Sequence, residues 1–241
     1  MSQISFAVAG SLAPALSEFA QGFAGETGHA VSLRRGPAGL LTRAILDGFP
    51  AQVFVSASPD GPAALQRTGL FGPARLIARN RTVLVACPGL AGDDPLDLLA
   101  DPGLRIAMST PGADPGGDYA AAFLDRLTAG DPARWQGVRD RCASLFGATL
   151  PDPDAPARNP ATEMLREDRA DLLIVYATTG TQIMQALPGA RALPLPPELA
   201  PLTRICACAR IDAPDAAQAF LGALQGPDCA ATLLRHGFIG V

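Results

Sequence analysis

Along the chain, apolar positions switch repeatedly between the two-residue period of a strand and the longer period of a helix. Residues 4–9 (Ile-Ser-Phe-Ala-Val-Ala) read as a strand. After Gly10 and Ser11, Leu12, Leu16, Phe19 and Phe23 recur at helical spacing, and Gly25 and Gly28 end that helix. Residues 30–33 resume as a strand, while 34–39 (Arg-Arg-Gly-Pro-Ala-Gly) read as a loop by composition. Leu40, Leu41, Ala44 and Ile45 mark a short amphipathic helix that stops at Asp47-Gly48-Phe49-Pro50, and 52–56 is another strand. Residues 81–87 are strongly apolar and end at Pro88-Gly89, as a strand leaving a first lobe would. A second lobe is expected to hold strand 104–108, loop 109–117 and helices 118–127 and 133–144. An irregular stretch rich in Pro and Asp (150–160) follows, then helix 161–169, strand 171–176 and helix 179–186. The chain returns to the first lobe near 203–209, and helices 214–224 and 228–236 close it. Such alternation predicts an α/β protein whose mostly parallel sheets are flanked by helices. The expected division is 1–86 with 205–241 as a discontinuous first lobe, and 87–204 as the second.

Composition narrows the chemistry. A chain of 241 residues, 48% hydrophobic, can bury one large core or two modest ones. Only 17% of residues are charged, the formal net charge is -4, and no basic run occurs, which excludes an ordinary nucleic-acid binder. Lysine is absent, so Schiff-base and P-loop chemistry are excluded with it. Cys87, Cys142, Cys206, Cys208 and Cys229 form no CxxC pair. Cys206 and Cys208 share one face of an apolar run, so the thiols read as structural. No segment approaches the ~18 apolar residues of a membrane span. The first residues lack the basic and apolar regions of a secretory signal. Two readings fit that start: a leader already removed, or a chain that stays in the cytoplasm. No GxSxG, HExxH, GxxxxGK[ST] or GxGxxG pattern is present, and His29 and His236 fall near helix ends where surface roles are expected. The expectation is a binder, not an enzyme.

Four expected strand ends carry small or hydroxyl residues and lead into helices: Gly10-Ser11, Gly36-Pro37-Ala38-Gly39, Pro115-Gly116-Gly117 and Tyr176-Ala177-Thr178-Thr179. Ligands of parallel α/β sheets lie beyond the carboxyl ends of the strands. Helix N-termini there offer unpaired N–H groups and partial positive charge, an anion site that needs no lysine. Ser11 fits either an ordinary N-cap or a ligand donor, because Pro14 lacks one of the N–H groups that a cap would bond. Gly116 and Gly117 allow close backbone approach, to a ligand or simply within a helix-start turn. Tyr176 ends an apolar strand, so its hydroxyl needs a buried partner or a ligand. Asp114 and Asp118 read as a cap and a first-turn acid. Arg34, Arg35 and Arg158 are surface residues or, at the mouth of an anion site, planar donors.

Several landmarks share an order and spacing. They are Phe6-Ala7-Val8-Ala9-Gly10-Ser11-Leu12, the run 41–57 (Leu-Thr-Arg-Ala-Ile-Leu-Asp-Gly-Phe-Pro-Ala-Gln-Val-Phe-Val-Ser-Ala), Pro115-Gly116-Gly117-Asp118-Tyr119-Ala120, Ile174-Val175-Tyr176, and the ending Gly226-Pro227 through His236-Gly237-Phe238. Over nearly its whole length the chain resembles the molybdate-binding proteins of bacterial ABC importers, within the type II periplasmic-binding-protein fold. The resemblance implies two lobes joined by crossing strands, with a tetrahedral oxyanion such as molybdate or tungstate held between them by neutral donors. By matched position, Ser11 with Gly10 supplies a hydroxyl, Gly116 with Gly117 a backbone donor, Tyr176 the phenol, and the neighbourhood of Arg158 and Asn159 another backbone contact. A second serine of the family is lost near Ala38, where a backbone N–H with Gly39 remains. Arg34-Arg35 replaces small or polar residues and makes Arg35 a candidate cationic donor. Asp114 resembles the aspartate loop of archaeal tungstate-binding relatives. It is expected first to point away as a helix cap, and second to ligate the metal of the oxyanion. A bare carboxylate repels a fully deprotonated oxyanion, but it suits one that carries a proton, such as phosphate or arsenate. The resemblance further implies an ABC permease partner, a periplasmic location, a monomer and no cofactor besides the ligand. A cytoplasmic oxyanion sensor of the same fold, and a binder of another anion or a metal chelate, remain as alternatives.

Overall fold

The computed structural model describes residues 3–154 and 158–241; residues 155–157 of the expected irregular stretch lie outside the described residues. In chain order its elements are β1 (Gln3–Ala9), a tight 3-10 turn (Gly10–Leu12), α1 (Ala13–Thr27), β2 (Ala30–Gly36), α2 (Ala38–Leu46), β3 (Val53–Ser56), α3 (Asp60–Arg67) and β4 (Arg75–Asn80). They continue with β5 (Thr82–Ala86), α4 (Pro95–Ala100), β6 (Ile106–Ser109), α5 (Pro115–Gly130), α6 (Pro132–Arg141) and β7 (Ala143–Phe146). Then come α7 (Pro160–Arg166), β8 (Leu172–Tyr176), α8 (Ala177–Ala186), β9 (Arg191–Pro194), β10 (Thr203–Ala209), α9 (Asp215–Ala223) and α10 (Pro227–Arg235).

The chain forms two compact units. One comprises Met1–Asn80, Thr149–Ala155 and Arg204–Val241; the other comprises Arg81–Ala148 and Pro156–Thr203. The strand expected to leave the first lobe, β5, is instead an integral strand of the second unit's sheet.

In the first unit the sheet order is β2-β1-β3-β10-β4. β1 runs parallel to β2 and β3, whereas β10 is antiparallel to β3, so the sheet is mixed. β1 is covered on both faces: Ile4, Phe6, Ala7, Val8 and Ala9 are all buried. That is why its sequence reads as a nearly continuous apolar run. On one side, the helical spacing of Leu16, Phe19 and Phe23 lays an apolar stripe of α1 on the core. Phe220 from α9 sits at the centre of an aromatic cluster, with ring centroids 5.1 Å from Phe6, 5.8 Å from Phe19 and 5.0 Å from Phe23. Glu18 of α1 bonds both Arg235 and His236 at the end of α10, a surface position as expected for His236.

The second sheet, ordered β7-β6-β8-β5-β9, shows the strand alternation clearly. Leu84, Ile106, Met108, Leu172 and Ile174 face one core with Leu98, Leu99, Phe123, Leu127 and Trp135. Their neighbours Val83, Val85, Ala107, Leu173 and Val175 face another with Met164, Leu165 and Ile183. β6 is parallel to β7 and β8, and β5 is antiparallel to β8 and β9, so this sheet is mixed as well. Among the described residues no helix is long and apolar enough to cross a membrane.

Phe220 is fully buried and touches three other rings, so Phe220→Ala leaves a large void. The expected loss is about 3–5 kcal/mol, read as a lower urea midpoint at an unchanged slope.

Candidate functional site

In the first unit, β1 and β2 end side by side, with Ala9 opposite Gly36. A Cβ placed on Gly10 would stand 3.9 Å from the Gly36 carbonyl oxygen, so the turn after β1 and the entry to α2 are neighbours. α1 begins only at Ala13, with Leu12 at its N-cap and no side-chain cap bond. Ser11 therefore lies inside the 3-10 turn, which excludes the ordinary-cap reading. Its half-buried hydroxyl has no hydrogen bond among the described residues. At α2 the N-cap is Pro37, whose side chain offers no oxygen. The first helical bond is from the Leu41 N–H to the Pro37 carbonyl at 2.9 Å, and the N–H groups of Ala38, Gly39 and Leu40 have no partner among the described residues. These are the orphan donors of a helix start, reinforced by its dipole. Arg34 and Arg35 lie within β2, paired with Ala7 and Val8, not in the loop the sequence suggested. As successive strand residues they point to opposite faces, so one of them at most reaches any single point.

A third strand end here was overlooked in the sequence. β3 finishes at fully buried Ser56, whose Oγ accepts the Ser58 N–H at 3.2 Å. Ser58 Oγ in turn accepts the Asp60 N–H at 3.4 Å. The signal was available: Ser56-Ala57-Ser58 places two hydroxyls where an apolar strand stops.

In the second unit, Asp114 is the N-cap of α5, the cap part of what the sequence suggested for it. Its Oδ1 accepts the Gly116 N–H at 3.1 Å, and its backbone carbonyl accepts the Gly117 N–H at 2.9 Å. Both glycine amides, expected as ligand donors, are thus already engaged inside the cap. The Asp114 carboxylate itself supplies an acceptor at the start of α5. Gly117 is required sterically, since a Cβ would lie 2.4 Å from the Ser109 carbonyl oxygen and 2.7 Å from Pro111 N. The loop ahead is pinned by the Gly112 N–H bonding Asp118 Oδ1 at 2.7 Å and by the Thr110 hydroxyl and N–H bonding the Phe146 carbonyl.

Around this cap the second unit gathers a compact polar cluster. A Cβ on Gly116 would meet Ser109 Oγ at 3.1 Å, Tyr176 Cε2 at 3.4 Å and Asp114 Oδ1 at 3.6 Å. Gly147 backs onto Asp114 and Ser109. Ser109 is 3% exposed and was missed, because the sequence reading made it the first residue of a loop rather than the last of β6. Tyr176 is 5% exposed, sits at the N-cap of α8 and meets Tyr119 edge-on at 6.2 Å between centroids. Burial pushes the Asp114 carboxyl up from the ordinary range and Asp118 adds to the shift, while the Gly116 N–H and Ser109 hydroxyl pull it back. Burial likewise raises the Tyr176 phenol well above its usual value, helped by the negative charge of Asp114. No cation contributes to either shift.

Arg158 is exposed and lines an open groove with Asn159, Thr162, Glu163, Arg166 and Gln182, sharing no residue with the cluster. Asn159 caps α7 through the Ala161 N–H at 3.1 Å and donates to Gln182 at 2.9 Å. Among the described residues no group of three His, Cys, Asp or Glu could hold a metal ion.

Comparison with known proteins places this geometry in context. The sequence profile of the family described as "bacterial extracellular solute-binding protein" matches residues 4–239. An uncharacterized protein of Pasteurella multocida (strain Pm70) is 29% identical over 158 residues, which are 64% of this chain and 66% of that relative, just under two thirds of its length. Among solved structures, the Azotobacter vinelandii periplasmic molybdate-binding protein matches 98% of both chains at 25% identity and a TM-score of 0.78. The sulfate-binding protein SubI from Mycobacterium tuberculosis H37Rv matches 100% of this chain and 88% of its own at 17% identity and a TM-score of 0.82, a likeness of fold alone.

The Asp114 environment has a consequence for stability. With its folded-state affinity for the proton raised, the folded chain binds more protons than the unfolded one as pH climbs above the ordinary carboxylate range. Stability contributed at this residue therefore falls with rising pH. Asp114→Asn keeps a capping side chain and removes that charge. Its melting temperature relative to wild type should increase between about pH 4 and pH 7, checked by thermal melts across that range.

Proposed function

The chain belongs to the bacterial extracellular solute-binding proteins and has their type II periplasmic-binding-protein fold, and on that premise we propose that it captures a small tetrahedral oxyanion for an ABC importer, with molybdate or tungstate as the first reading. The observation that carries the proposal is the paired end of β1 and β2. There an unpartnered Ser11 hydroxyl and the uncapped N–H groups of Ala38, Gly39 and Leu40 stand on adjacent segments, with Ala9 opposite Gly36. Neutral donors held in place by a folded scaffold bind an anion strongly where water is excluded. In the second unit, taken by itself, the Tyr176 hydroxyl and the start of α8 are proposed as ligand donors. Gly116 joins only where the ligand takes its N–H over from Asp114. Gly10 supports the turn, and Arg35 and Arg158 are assigned to the rim. The chain acts by binding without turnover, on the extracytoplasmic side of the membrane, as a monomer that delivers to a permease. The 25% identity to the molybdate-binding protein of Azotobacter vinelandii supports the choice of ligand.

One observation favours a second reading. Asp114 brings a carboxylate beside Gly116 and Tyr176, and no cation contributes to its shift. Such a group accepts a hydrogen bond from a ligand that carries a proton, hydrogen phosphate or hydrogen arsenate, and repels one that carries none.

Calorimetry with molybdate, tungstate, sulfate, phosphate and arsenate tests the first reading. At least one should bind, and Ser11→Ala should weaken that anion by about 1 kcal/mol or more, as expected for loss of a buried donor. No binding across the panel defeats the proposal, and an unchanged affinity removes Ser11 from the site. Asp114→Asn separates the two readings. If hydrogen-bearing oxyanions are the ligands, their affinity falls on substitution while sulfate and molybdate gain; if molybdate is the ligand, its affinity does not fall.

A further inference from the structure

Residues 149–154 form a short strap that groups with the first unit, although the chain on either side belongs to the second. Its seat is Gly36. A Cβ on Gly36 would lie 2.6 Å from Leu150 Cδ2, 3.5 Å from Pro151 Cδ and 3.6 Å from Leu41 Cδ2. Leu150 and Pro151 thus rest directly on the glycine backbone, against fully buried Leu41 of the first turn of α2. Both strap residues are half-buried, while Asp152, Pro153 and Asp154 beyond them are exposed, with the Asp154 N–H bonded to Asp152 Oδ1 at 3.0 Å. The contact falls where the donors of the proposed site begin. Gly36 is the last residue of β2, pairs with Ala9 ahead of the Ser11 turn, and precedes the Pro37 cap of α2.

We propose that Leu150 and Pro151 are affinity determinants of the oxyanion site: an apolar wall that keeps water from the donors at the start of α2 and around Ser11. The inference rests on the oxyanion reading and adds to it residues that touch no ligand atom. Its physical basis is that a neutral N–H or hydroxyl gains little from bonding an anion while water competes, and much more beside apolar surface. A leucine and a proline serve this purpose better than polar residues would, since neither offers a donor or acceptor side chain to hold water. The wall also explains why residue 36 is glycine. It has an ordinary strand conformation, with no positive φ recorded, so the lack of a side chain serves the close approach of Leu150 and not backbone freedom.

The test uses the full chain, with molybdate and sulfate as probes, calorimetry for affinity and stopped-flow for dissociation. Leu150→Ala should weaken the bound anion about tenfold, chiefly through faster dissociation, as the strength of neutral hydrogen bonds returns toward its value in water. Leu150→Met, which restores apolar bulk, should stay within about twofold of wild type. Gly36→Ala leaves Leu150 in the sequence but displaces it from its seat, and should reproduce the loss. The double variant should be no weaker than either single one, since both remove the same contact. An affinity within twofold of wild type for Leu150→Ala, even with a lowered melting temperature, overturns the inference and leaves the strap a structural contact. A wild-type chain that binds neither probe nor any other oxyanion overturns the parent reading, and the wall with it.

Discussion

A helix whose first amide hydrogens have no capping side chain must find acceptors elsewhere, and this constraint organises both units of the protein. In the first unit, Pro37 stands at the cap of α2 and contributes nothing, so the donors of Ala38, Gly39 and Leu40 stay open beside Ser11. In the second unit, the corresponding demand at α5 is met internally, because Asp114 folds its carboxylate onto the Gly116 N–H. One unit presents hydrogen-bond donors; the other presents a carboxylate, a buried serine and two edge-on phenols. The two units thus meet the same demand in opposite ways, one leaving donors open and the other closing them with its own carboxylate.

Cations take little part in that balance. The chain has no lysine, and many of its arginines are held by acids at the surface: Arg105 by Asp168 and Asp171, Arg139 by Asp125, Arg191 by Asp93, Arg210 by Asp212 and Arg235 by Glu18. Exposed pairs of this kind add little stability. Their effect is to tie guanidinium groups down at the surface, and none contributes to the electrostatics of Asp114 or Tyr176. On the oxyanion proposal, recognition falls to backbone and hydroxyl groups, whose placement depends on the loops ahead of each helix.

Much of the architecture was legible because apolar residues had one geometric reading. The spacing of Leu16, Phe19 and Phe23 allowed only a helix, and β8 reads Leu-Leu-Ile-Val-Tyr because it is buried on both faces. The misses share a cause. β4 carries two arginines and an asparagine in six residues, β9 is four residues ending in proline, and β7 follows directly on a helix whose sequence pattern it continues. α3 begins Asp-Gly-Pro, a turn signature, yet tertiary packing of Leu65 makes it helical. Strand direction was invisible too: nothing local in β10 or β5 records that they run antiparallel to their neighbours. At the site, residue types at strand ends were readable, whereas hydrogen-bond ownership was not. That Gly116 gives its amide to Asp114, and that Ser11 caps nothing, depends on dihedral angles no sequence pattern specifies.

The position of β10 sets an order for the birth of the molecule. This strand lies between β3 and β4 in the first sheet, yet it is made after every strand of the second sheet. On the ribosome, or while threading through a translocation pore, the amino-terminal strands must wait with one edge unfilled until residues 203–209 arrive. Meanwhile the later-made unit, complete at Thr203, already has all five of its strands. The half that is begun first is therefore finished last, and its incomplete sheet is the form a holding chaperone would have to shield.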